Sequence, residues 1–143
     1  MTSLTFLRLY RLSAILLLVF AVAHTIGFLA FRPPTAEGEA VRLAMDRVHF
    51  YAGSHNASYG DVYRGFGLYI SACVLFLAFL AWQLGSLAHD AAVPKVGWGF
   101  TLLMAASAVL SWMYFNLIAA GLSIILALCL GAAAHLGRNQ ETS

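Results

Sequence analysis

Long apolar stretches alternate with short polar ones along this chain, and their lengths set the first expectation. Residues 12–31 carry no formal charge and run about the twenty residues a helix needs to cross a hydrocarbon core. Arg32-Pro33-Pro34 ends the stretch, because proline lacks an amide donor and disfavours helical backbone in the residue before it. A second apolar stretch covers residues 62–88, with Arg64 one turn inside its start. Residues 96–137 again lack formal charge. As one helix they would measure about 63 Å, roughly twice the core thickness, so they must fold back. The break is expected at 112–116, where Asn116 favours a turn and Trp112 and Tyr114 suit an interface. The pattern therefore predicts an all-α membrane protein with four transmembrane helices, about 12–31, 62–88, 96–114 and 117–137, in a single membrane domain 1–143.

Between the first two spans, residues 32–61 form the longest polar connection. Thr35 is placed to cap a helix, with Glu37 and Glu39 near its positive end. Val41, Ala44, Met45, Val48 and Ala52 recur at helical spacing, while Glu39, Arg42, Asp46 and His49 fall mostly on the other side. This predicts a short amphipathic helix over 35–52, lying at the interface or over the mouth of the helices. Residues 53–60 read as a loop, Asn56-Ala57-Ser58 as a turn that also fits a glycosylation sequon, and Asp61 as the cap of the second span.

Composition reinforces the membrane reading. The 143 residues are 62% hydrophobic and 10% charged, against about 25% charged in a soluble domain, and mean hydropathy is +0.82. A net charge of +2 is too slight and scattered for nucleic-acid binding. Cys73 and Cys129 lie in apolar runs without C-x-x-C spacing, which argues against a disulfide framework or zinc site. Arg8, Arg11 and the small residues 21–23 also resemble a secretory signal. The apolar run continues to residue 31, which favours an uncleaved helix. Arg8, Arg11, Lys95 and Arg138 fall on the side of the termini, and Arg32, Arg42, Arg47 and Arg64 on the other. That tie leaves the positive-inside rule without a decision. The second group is accompanied by four acids in the longer loop, so the expectation is an inner (plasma) membrane with both termini cytoplasmic.

Most of the chemistry-bearing side chains fall at 46–69; the exception is His24, an ionisable residue inside the first span. Such residues face the protein interior and mark either a functional path or a polar contact. Counted from Phe31, His24 lies roughly 10 Å below the outer boundary, and Tyr69, Ser107 and Ser123 come out at similar depth. The structural alternative is a neutral histidine satisfied by a neighbouring hydroxyl. Bis-histidine haem is not expected, because no span supplies a second histidine opposite His24. His24, His49 and His55 carry no metal-ligand spacing, so no metal site is assigned. Tyr59, Asp61, Tyr63, Arg64 and Tyr69 form a second group, with His49 in the loop. Its plain explanation is an aromatic belt plus an Asp61–Arg64 pair; its functional one is a cation at the mouth that holds a carboxylate, phosphate or carbonyl.

His24-Thr25-Ile26-Gly27 and Tyr63-Arg64-Gly65-Phe66-Gly67-Leu68 resemble a group of small bacterial four-helix membrane proteins, and the layout is similar to the DoxX-like proteins. The resemblance covers the first half of the chain. It implies a bacterial inner membrane and four helices, and it brings no activity or site residue. Two classes of function stay open: a pocket in the outer half of the helices for a lipidic or quinone-like molecule, and an accessory subunit docking on a larger membrane complex or on further copies of itself.

Overall fold

The computed structural model describes residues 2–87, 90 and 92–141. In chain order these form α1 (Thr2–Ala30), α2 (Ala36–Arg47), β1 (His49–Ala52), β2 (His55–Ser58), α3 (Tyr59–Ser86), α4 (Ala92–Tyr114) and α5 (Leu117–Glu141). Helices α1, α3, α4 and α5 are each long and apolar enough to cross a membrane, and α2 is too short and polar. The fold is all-α with a short hairpin inserted. The chain divides into two compact units, one of Met1–Leu18 with Phe76–Ser143 and one of Val19–Leu75.

In the first unit, α1 begins at Thr2, ten residues before the uncharged run. Phe6 and Tyr10 explain the extension. They sit one helical turn apart, are fully buried, and meet edge to face at 5.0 Å. Phe6 packs towards Pro94 and Gly137, and Tyr10 towards Gly85, Gly97 and Ala134. Glycine and alanine at those positions let large rings approach neighbouring helices closely, which is how helices pack where lipid supplies no hydrophobic drive. Arg11 keeps its charge outside by lying over the Trp82 ring at 5.1 Å.

Helix α4 ends at Tyr114 and α5 begins at Leu117. The Asn116 carboxamide oxygen accepts from the Ala119 amide at 2.9 Å, an N-cap that starts α5 where the sequence placed the break. His89 lies outside the described residues. Asp90 accepts from the Ala92 amide at 2.8 Å at the start of α4.

The second unit begins with the later half of α1 and continues through α2 and the hairpin into the first half of α3. Thr35 caps α2 as expected, its hydroxyl accepting from the Gly38 amide at 3.1 Å. The helix ends at Arg47 rather than running to 52. Residues 49–58 are an antiparallel hairpin rather than helix and loop, with His49 opposite Ser58 and Ala52 opposite His55. Its two-residue turn is Gly53-Ser54, and Gly53 takes a φ of 65°. Glycine first in a two-residue turn matches the twist of paired strands, and it is the sequence signal that the helical spacing of Val48 and Ala52 obscured. A lone hairpin is marginal in water. This one is held by the Phe50 and Tyr59 rings, 4.8 Å apart, and by the start of α3.

That start is a reciprocal cap. Ser58 Oγ accepts from the Asp61 amide at 3.0 Å, and the Asp61 carboxylate accepts from the Ser58 amide at 3.0 Å. Ser58 is therefore the capping residue and Asp61 its partner, in a capping box.

Candidate functional site

Along α3 a single stripe recurs every three or four residues: Gly60, Arg64, Gly67, Ser71, Val74 and Ala78. Its small members let a neighbour approach, and its polar members define two layers of the second unit. The upper layer is a cavity of about 330 Å³ bounded by α1, α2 and α3. Phe28, Leu29, Phe31, Val41, Met45 and Tyr63 supply its apolar wall, and Arg32, Arg42, Asp46 and Arg64 its charged rim. Protein ligand cavities span about 300–1,000 Å³, so this one is at the small end, suited to part of a chain or ring.

Helix α2 turns residues 38, 41, 42, 45 and 46 towards that space. The expected division into an apolar inner face and a charged outer face is corrected here: Arg42 and Asp46 share the cavity face with Val41 and Met45. Their ion pairs are the reason. Asp46 Oδ1 accepts from Arg64 Nη1 at 2.8 Å, and Asp46 Oδ2 from Arg42 Nη1 at 3.3 Å. Arg64 also donates to Asp61 at 2.8 Å, and Arg42 Nε to Glu39 at 2.9 Å. The hydrogen bond from Arg42 holds the Glu39 carboxyl below its ordinary pKa, with the Arg42 charge adding to it, and the same bond raises the Arg42 guanidinium.

The lower layer surrounds His24. Its Nδ1 lies 3.0 Å from Ser71 Oγ, and Ser71 Oγ lies 2.8 Å from Thr25 Oγ1. Thr25 Oγ1 is also 2.8 Å from the Ala21 carbonyl, which can only accept. Each hydroxyl has one proton. Thr25 Oγ1 thus has one proton for two acceptors, the Ala21 carbonyl and Ser71 Oγ; Ser71 Oγ also lies 3.3 Å from the Gly67 carbonyl, and the role of His24 Nδ1 follows its tautomer. Above this cluster the His24 ring stacks parallel to Phe28 at 5.9 Å, and Phe28 covers Gly67 so closely that a β-carbon there would collide with the ring. Phe28 is thus the partition between the polar cluster and the cavity.

The residues singled out from sequence fall in different places. Arg64 and Tyr63 line the cavity, with Tyr63 5.2 Å from Phe28. His24 does not line it and belongs to the layer below. Tyr69 is 67% exposed and lines no part of it. His49 is exposed on the hairpin and donates from Nδ1 to the Arg47 carbonyl at 2.9 Å. The register puts His49 and His55 on opposite faces of the hairpin, which separates them as ligands. Among the described residues no group of three His, Cys, Asp or Glu comes close enough to hold a metal. Ser107 and Ser123 belong to the first unit, where their hydroxyls lie 3.4 Å apart.

Thr25, Ser71, Arg32, Arg42, Met45 and Asp46 were missed as site residues. The stripe on α3 was the available signal for Ser71, since seven residues separate it from Arg64 on the same face. Tyr69, singled out by depth and by its place in the group with Tyr63 and Arg64, lies two positions away and on another face. No protein-family model, curated protein or solved structure matches the chain. The site therefore rests on its own geometry.

Proposed function

We propose that this multi-pass membrane protein binds a lipidic or quinone-like amphiphile in the cavity beneath α2. One observation carries the reading: an amphipathic helix with no buried residue of its own sits over an apolar cavity rimmed by three arginines. Packing alone would have filled that space with side chains, as the first unit does with Phe6 and Tyr10. An apolar concavity with a few convergent polar groups is the usual form of a small-molecule site. The reading includes a bacterial inner membrane with cytoplasmic termini, supported by the acids that accompany the arginines of 32–64. Single cysteines at Ser54 and Gln140 should then label from opposite sides.

The test is lipid retention. Protein extracted in a mild neutral detergent should carry about one co-purifying amphiphile per chain, found by organic extraction and mass spectrometry. Met45→Trp, which fills the cavity, should abolish it while the protein stays folded. Equal retention by the variant rejects the reading.

A second reading has its own observation. In the first unit, Ala105, Ala108, Val109, Ala120, Ile124 and Ala127 line an apolar groove on α4 and α5. Small residues of this kind seat a helix of a partner, as an accessory subunit or homo-oligomer requires. A stoichiometric protein partner after mild extraction, with no bound amphiphile, favours it.

A further inference from the structure

We infer that the amphiphile in this cavity carries an oxyanion head, phosphate or carboxylate, and that Arg32 is its anchor. The inference rests on the cavity reading above and adds the charge of the ligand and the residue that selects it.

Charge at the rim is divided unevenly. Arg42 is held by Glu39 and Asp46, and Arg64 by Asp46 and Asp61. Three carboxylates are thus spent on two guanidinium groups, each gripped from two directions. Arg32 forms no ion pair among the described residues. It donates from Nη1 to the Phe31 carbonyl at 2.9 Å, and a guanidinium has five N–H donors. That one bond goes to the carbonyl just past the end of α1, where a cation is favourable; Glu39 acts on Arg32 through space only, its carboxylate being bonded to Arg42, so Arg32 keeps donors free for a ligand.

Its position matches an amphiphile. Arg32 follows directly on Phe31 and lies beside Leu29 and Phe28, so the charged group and the apolar wall come from one short segment. Pro33, the next lining residue, has no amide proton to offer an acceptor, which makes Arg32 the donor for a head placed there. A guanidinium fork matches the paired oxygens of phosphate or carboxylate. A quinone carbonyl would accept one bond and leave the guanidinium without a bonded anion. Arg64, the residue the sequence favoured as anchor, already has its charge offset by Asp46 and Asp61.

The test uses the full-length chain in nanodiscs containing equal parts of phosphatidylglycerol and phosphatidylcholine, with retained lipid counted by native mass spectrometry. Wild-type protein should prefer phosphatidylglycerol by about tenfold, the effect of one well-placed charge-assisted contact. Arg32→Gln should bring that preference to about unity while a lipid is still retained. Arg32→Lys should keep part of it, and Arg47→Gln, an exposed arginine away from the cavity, should keep all of it. Dodecanoate should displace the anionic lipid, whereas inorganic phosphate alone should not, because the tail is needed. No preference in the wild type, or a preference that survives Arg32→Gln, overturns this inference and leaves the cavity reading standing. Displacement by inorganic phosphate overturns the amphiphile in favour of a free oxyanion. Lipid retention undiminished by Met45→Trp removes both proposals.

Discussion

Asp46 and Arg64, eighteen residues apart in sequence, meet at 2.8 Å and join α2 to α3. Asp46 is 31% exposed and Arg64 49%, so the pair is partly screened and contributes modestly. It matters because α2 has no buried side chain to hold it in place. The position of the helix depends on its polar contacts.

Asp46→Asn should therefore loosen α2 without unfolding the spans. Hydrogen exchange would show lost protection at Ala36–Arg47 and unchanged protection in the lower half of α3. Raising salt should produce a weaker version of the same change in the wild type. Unchanged protection in the variant would mean that apolar contacts, not the ion pair, hold the helix.

Acid should act on the same element through Glu39. Its carboxyl is held below its ordinary value of 4.5 by the Arg42 hydrogen bond. A group with a lowered folded pKa contributes stability that is complete above its unfolded value and is lost as pH falls through the folded one. Protection of α2 should thus be constant from neutral pH down to about 4.5 and decline below it. Glu39→Gln should be loosened already at pH 7 and show less further decline. Loss of protection beginning near pH 6 would point to another group.

The spans and the cap of α2 were legible in the sequence because both rest on local rules: length without charge, Pro33-Pro34, Thr35 three residues before Gly38, and Asn116 within a long apolar run. The early start of α1 was also written there, in the stripe of Phe6, Tyr10, Ala14, Leu17 and Ala21, all buried. Counting charges hid it, since Arg8 and Arg11 closed the window. The site was less legible for a different reason. Whether Arg42 and Asp46 face water or a cavity is decided by Arg64, a partner eighteen residues beyond Asp46, and no periodicity within α2 contains that information. Arg32 looked like a flanking charge until the pairing of the other two arginines set it apart.

His24 and Ser71 offer a measurable coupling between α1 and α3. Ser71→Ala removes the partner of both His24 Nδ1 and Thr25 Oγ1. The coupling energy from a double-mutant cycle with His24→Ala should fall at about 0.6–1.7 kcal/mol, the range for hydrogen bonds between membrane helices. Thermal denaturation in detergent would measure it. A coupling near zero would mean that the contact adds nothing to stability.

Gly67→Ala tests the partition between the two layers. The new methyl would occupy the place of the Phe28 ring, so Phe28 must swing away and its stack on His24 is broken. Amphiphile retention should fall several-fold while the spans persist. Phe28→Ala in the same chain should restore room for the methyl and recover part of the binding. Retention unaffected by Gly67→Ala would show that Phe28 does not shape the cavity.

Tyr10 carries the last prediction. Among the described residues its hydroxyl is the one buried side-chain polar atom without a hydrogen-bond partner, and the residue is fully buried. An unpaired buried hydroxyl costs about 1–3 kcal/mol, while the ring packs tightly in its slot. Tyr10→Phe should accordingly leave stability unchanged or raise it by up to about 1 kcal/mol, read as the midpoint of thermal unfolding in detergent. Gly97→Ala should lower stability, because its β-carbon would collide with Tyr10 Oη. Combining the two substitutions removes the oxygen that the methyl meets. Recovery should be partial, since the same β-carbon would still lie 3.0 Å from the Ala134 methyl. A Tyr10→Phe protein less stable by more than about 1 kcal/mol would mean that the hydroxyl makes a favourable contact, and the glycine slot would then serve that bond rather than the ring.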